Sequence, residues 1–129
     1  MEWGRRCTAG DRAQASVELA LCLPVVVVLL LVVVQAGLVV ADQVAVVQGA
    51  REGARRASVD PDPEAARTAA RRGRLTPART TVVVEQLGGK PVLRRVVVRH
   101  RAATDVPLVG RLLPDVELTA SATMALEGT

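Results

Sequence analysis

The chain has no phenylalanine and no tyrosine, and its one tryptophan stands at position 3. Any core it builds is therefore aliphatic, assembled from Val, Leu and Ala. Aromatic side chains that would stack on bases are missing as well, and no nucleic-acid-binding motif is present. The net charge of +4, from sixteen Arg and one Lys (Lys90), thus reads as scattered surface charge, and no nucleic acid is expected as partner. The single histidine, His100, lies between Arg99 and Arg101 in strand-like sequence and is expected to be exposed. No Cys/His cluster has zinc-ligand spacing. Ser16, Ser58 and Ser121 carry no local nucleophile motif, and Gly88-Gly89 is a turn, not a phosphate loop. Neither an enzyme nor a cofactor or metal is expected. The residues point to an interaction protein.

Cysteine is also scarce. Cys7 lies in a basic leader and Cys22 in an apolar run, so the two should not pair. The chain after that run has none and needs no disulfide even in an oxidising compartment. A lipoprotein cut before Cys22 does not fit, because Leu21 occupies the position of a small residue and Cys22 opens the apolar run instead of closing it.

The longest absence is of charge. From Leu19 to Ala41 there is no Asp, Glu, Lys or Arg, and the only strongly polar residue is Gln35. These twenty-three residues span about 35 Å as a helix, enough to cross a hydrocarbon core of about 30 Å. Pro24 sits early in the run and is better tolerated in a membrane helix than in water. Gly37, with Ala36 and Ala41, leaves a small-residue patch where a second helix can approach. Beyond the span, Asp42 to Ser58 keeps helical character, with Val44, Val47, Ala50 or Arg51, and Ala54 at 3–4 spacing. Glu52 lies within reach of Arg55 and Arg56. One continuous helix is expected from about Ala15 to Ala57, in which Gly49 and Gly53 either weaken the helix or admit a tightly packed neighbour.

The rest of the chain reads as a small mixed domain. Asp60-Pro61-Asp62-Pro63 breaks the helix. Asp62 is placed to cap a short helix from Pro63 to Arg72, which ends at Gly73. Thr80 to Leu87 and Val92 to His100 form a hairpin about Gly88-Gly89-Lys90-Pro91. Thr104 to Pro114 is a loop. Val116, Leu118, Ala120, Ala122, Met124 and Leu126 then alternate with more polar residues along a third strand. The expectation is an α+β fold in three parts: a leader over 1–13, a long helix over 14–58 whose segment 19–41 spans the membrane, and a small α+β domain over 59–129. The end of the long helix is the available cover for the apolar face of a three-stranded antiparallel sheet.

Glu18 stands immediately before the apolar run. At a bilayer centre an acid costs about 2.5–3.5 kcal/mol on insertion scales, and such acids are usually paired. A cut between Ala13 and Gln14 would make Glu18 the fifth residue of the mature chain, one helical turn from a new α-amine. That amine could pair with Glu18 of its own chain or of a neighbouring helix.

A basic leader, a small residue and then an acid at the fifth position before a long apolar helix resemble a type IV prepilin N-terminus. More closely, the stretch resembles the TadE-like family of tight-adherence pilus systems. The resemblance is carried by Ala13-Gln14-Ala15-Ser16-Val17-Glu18-Leu19-Ala20-Leu21, then Leu23-Pro24, then Ala50-Arg51-Glu52-Gly53-Ala54-Arg55. Ala13 stands where Gly is the commoner family residue, and Leu19 where Phe is frequent. The resemblance implies processing at Ala13 and Gln14 by a prepilin peptidase, an assembly role for the Glu18 charge, and helix packing that involves Pro24, Gly37, Arg51, Glu52 and Arg55. It also implies other pilin or pseudopilin subunits as partners in building or anchoring a thin adhesive pilus.

Arg5, Arg6 and Arg12 precede the span, whereas the nearest Arg after it lies ten residues beyond Ala41. This asymmetry favours a cytoplasmic N-terminus in a single-pass cell-membrane protein. Two other readings stand on the residues alone. Val39-Val40-Ala41 offers a signal-peptide cut before Asp42, although the run exceeds the usual h-region of about 7–15 residues. A static single-span anchor presenting a small binding domain is the other.

Overall fold

The computed structural model describes residues 8–103 and 114–127, with side chains from Ala13 onward. Trp3, Cys7 and the leader Arg side chains lie outside the described residues. So do Asp105 and all of the expected loop except Pro114.

The first element is the helix α1, Thr8–Val59, of 52 residues, about 78 Å long at helical rise. It starts seven residues before the expected Ala15. Residues 8–13, read as part of a polar leader, contain no proline and join the helix despite Gly10. Asp60-Pro61 ends it as expected. Helix α2, Pro63–Ala70, begins where Asp62 accepts a hydrogen bond from the Glu64 amide at 3.0 Å, with Pro63 at the first helical position. It is shorter than predicted. Arg71 caps it, and Gly73 follows with φ +119°, a backbone only glycine adopts readily.

A single 3-10 turn, Pro77–Arg79, leads into β1 (Thr80–Leu87), followed by β2 (Leu93–Ala102) and β3 (Val116–Ala125). The sheet is antiparallel in the order β1-β2-β3. Val82, Val98 and Ala120 lie abreast, as do Thr80, His100 and Leu118. The α+β class expected from the sequence is the one observed.

The inner face of the sheet packs on the distal half of α1, with α2 alongside. Val46, Ala50, Ala54 and Ala57 of α1 meet Val96 and Val98 of β2, Val82 of β1 and Leu118 of β3, together with Ala66 and Ala70 of α2. The docking stripe is therefore Val46, Gly49, Ala50, Gly53, Ala54 and Ala57. Of the predicted stripe, Ala50 and Ala54 belong to it, whereas Val44 is half exposed and Val47 only partly buried. Small side chains win because α2 lies almost on the backbone of α1. A Cβ on Gly49 would stand 2.5 Å from the Ala70 carbonyl oxygen, and one on Gly53 2.9 Å from the Ala70 Cβ.

Three polar side chains share the inner face. His100 is buried, contrary to the expectation of exposure, and its Nδ1 lies 2.9 Å from the Thr80 hydroxyl across the β1–β2 pair. That hydroxyl also donates to the Thr76 carbonyl at 2.8 Å. Alternation explains the position, since residues 94, 96, 98, 100 and 102 face one way. Arg94 is buried at the far end of the same row. Its Nη1 donates to the carbonyls of Ala57, Asp60 and Pro61 at 3.4, 3.1 and 3.0 Å, joining the central strand to the end of α1. The third strand is tied there too, because the Glu127 amide donates to the Ser58 carbonyl at 2.9 Å.

Candidate functional site

The candidate site is the free, proximal part of α1. Its 18-residue most apolar window has a mean hydropathy of 3.1, and none of that window is buried. It belongs to the one helix among the described residues long and apolar enough to cross a membrane. Val25, Val26, Val27, Val28, Leu29 and Leu30 are all exposed. In water that surface is unfavourable, at roughly 25 cal/mol for each Å² of apolar area left exposed. Lipid or other apolar helices relieve it.

Ala13, Gln14 and Glu18 all lie on this part of the helix and are exposed. Gln14 and Glu18 are one turn apart on nearly the same face, about 6 Å along the axis. Glu18 makes no ion pair among the described residues. Pro24 lies inside the helix, where it removes the hydrogen bond otherwise made to the Ala20 carbonyl. Gly37 is exposed, and a Cβ built on it meets nothing within 4 Å. Its smallness is thus not used among the described residues, unlike that of Gly49 and Gly53. Gly37→Ala should leave the domain folded and raise helix stability by up to about 1 kcal/mol, measured by chemical denaturation in detergent. A drop in assembly of the same variant would assign the Gly37 surface to a contact between chains.

Arg51, Glu52 and Arg55 are exposed, and Glu52 borders the cleft between α1 and α2, beside Gly49, Ala69 and Arg72. The expected pairing of Glu52 with Arg55 or Arg56 does not form. Arg56 pairs instead with Asp60 at 2.8 Å, across the end of the helix. Sequence reasoning missed the lower boundary of the domain. Gln35 is buried, and its Nε2 donates to the carbonyl of Ala103, just past β2, at 3.4 Å. Asp42 pairs with Arg74 at 3.3 Å. Gln35, Val39, Asp42 and Val46 continue the docking stripe downward at helical spacing. The domain therefore grips α1 from Gln35 onward, within the segment 19–41.

The model of one family, described as TadE-like protein, matches residues 13–55, a third of the chain. The match starts at Ala13 and runs through the apolar helix into the docking stripe. No curated protein and no solved structure matches the chain.

Proposed function

Taking the match of residues 13–55 to the TadE-like family as premise, we propose that this chain is a pseudopilin of a tight-adherence pilus system. The observation that carries the reading is the position of Glu18. It is the last charge before an exposed apolar helix, and it is the sixth residue of the matched segment, the fifth after the Ala13–Gln14 bond. The leader is cytoplasmic, and a prepilin peptidase cuts between Ala13 and Gln14. The mature helix then holds the subunit in the membrane with its domain on the outer side, before it packs among other pilin or pseudopilin helices. The role is structural and needs no catalytic group.

In that mechanism the new α-amine of Gln14 and the Glu18 carboxylate neutralise each other, within one chain or between neighbours. An unpaired carboxylate in the low-dielectric interior of a helix bundle is strongly disfavoured. A positive terminus therefore draws the next helix into one axial register. A static anchor has no use for that pair. A signal-peptide cut before Asp42 fits the fold less well, because it would remove Gln35 and Val39, both of which pack against the domain.

Glu18→Gln tests the reading. The substitution keeps size and removes charge, so membrane insertion and folding of the domain should be unchanged while pilus assembly and surface adhesion are lost. Normal assembly in the Glu18→Gln strain would refute the role given to Glu18.

A further inference from the structure

We propose that the lower end of the sheet rests on the membrane surface and that Arg79, Arg99 and Arg101 contact the phosphates of anionic phospholipid headgroups. The proposal rests on the membrane-spanning part of the reading above and is independent of the pilus role. Two observations meet here.

The first is depth. Glu18 stays at one interface if the hydrocarbon core begins at Leu19. A core of about 30 Å then takes up about twenty residues and ends near Leu38. The domain already grips the helix at Gln35 through the Ala103 carbonyl. Its lower end therefore meets the bilayer boundary. Arg101 lies two residues back along β2 from Ala103, and Arg99 four, which places them at most about 7 and 13 Å higher. Headgroups occupy the first 5–8 Å or so beyond the hydrocarbon, and attraction to a charged surface reaches about a Debye length, 8–10 Å, further.

The second is charge. Thr80 pairs with His100, so Arg79, one residue earlier, falls beside Arg101. Arg79, Arg99 and Arg101 line one surface cavity of about 340 Å³ on the outer side of the sheet, with Thr81 and Glu117. Three guanidinium groups against the one carboxylate of Glu117 leave a net +2 at the site. All three Arg side chains are exposed, and none forms an ion pair among the described residues. Each presents a planar fork that matches phosphate oxygens. Basic residues at such a depth are held by anionic lipid.

The test uses the full chain with Cys7→Ser, in vesicles of mixed phosphatidylcholine and phosphatidylglycerol. A fluorophore is placed at Thr81→Cys in a Cys22→Ser background, or on the native Cys22 as the insertion control. The quencher is a nitroxide near the head of the acyl chain, carried by either lipid. Label 81 should be quenched about two-fold more by the phosphatidylglycerol probe than by the phosphatidylcholine probe. That preference should vanish in R79Q/R99Q/R101Q and in high salt, with the Cys22 control unchanged. Equal quenching by both lipids, or a preference that survives the triple substitution, would overturn the proposal. So would a domain that neither lipid quenches while Cys22 is quenched, which would leave the basic cluster to a protein partner. An unquenched Cys22 would instead overturn the membrane-spanning reading itself.

Discussion

Gly49→Ala should destabilise the folded domain by about 2–3 kcal/mol, although alanine is the better helix former. The gain in helix propensity is at most about 1 kcal/mol. Against it stands a methyl carbon placed 2.5 Å from the Ala70 carbonyl oxygen. That oxygen is backbone and has no rotamer to change, so α2 must lift from α1 as a unit. Overpacking of this kind costs about 1–3 kcal/mol, occasionally more. Moving α2 also uncovers Ala66 and Ala70, which are fully buried. In a domain whose total stability is on the order of 5 kcal/mol, such a loss is large. The urea midpoint in detergent should fall at an unchanged slope, with Gly37→Ala as the opposite-signed control. A Gly49→Ala protein as stable as the parent would mean that α2 does not dock as described.

Arg94→Met should be the other damaging change in the domain, at about 3 kcal/mol. Arg94 is the only side chain among the described residues that bonds three carbonyls at once, those of Ala57, Asp60 and Pro61. Ala57 lies in the last turn of α1 and Asp60 and Pro61 follow it, where orphan carbonyls and the negative end of the helix dipole favour a cation. Hydrogen bonds to a charged group are worth about 1.5–3 kcal/mol, and buried acceptors left unpaired add to the loss. Met keeps the length and apolar stem of the side chain, so the loss reports the guanidinium. Arg94→Lys restores the charge but not the fork and should recover only part of the stability. Amide exchange at the α1–α2 junction should accelerate in Arg94→Met. Unchanged protection there would show that the junction holds without Arg94.

Much of this fold is legible in the residues. Thr80–Leu87 declares itself a strand through its β-branched content, and Asp62-Pro63 declares a helix start. The inner face of β2 is legible only by parity. Arg94, Val96, Val98, His100 and Ala102 share one face, but Val97 makes the run look apolar on both sides. Polarity then argues falsely that Arg94 and His100 point outward. The docking stripe of α1 is obscured for a different reason. Gly49, Ala50, Gly53, Ala54 and Ala57 carry little hydrophobic signal, while Val44 carries more and stays half exposed. What selects the small residues is the closeness of α2, which no local window contains. Gln35 has no local signal either, since its acceptor lies 68 residues away.

The candidate site is legible in a different sense. Its meaning lies in an order of residues along one helix, and among the described residues nothing pairs with Glu18. Ala13, Gln14 and Glu18 are placed on one exposed helix by the fold; in the function we propose, the acid's partner is created by cleavage or by a second chain. The domain adds its own constraint from the other end. By gripping α1 from Gln35, with Leu31 one turn below already half-buried, it leaves residues 13–30, about 27 Å of helix, fully exposed.

The most direct measurement is the N-terminal residue of the mature protein, read by mass spectrometry from membranes with and without the candidate prepilin peptidase. The account predicts a chain that begins at Gln14 when the peptidase is present and retains its leader when it is absent. A mature chain that begins at Asp42, or one that keeps its leader in the presence of an active peptidase, would contradict it.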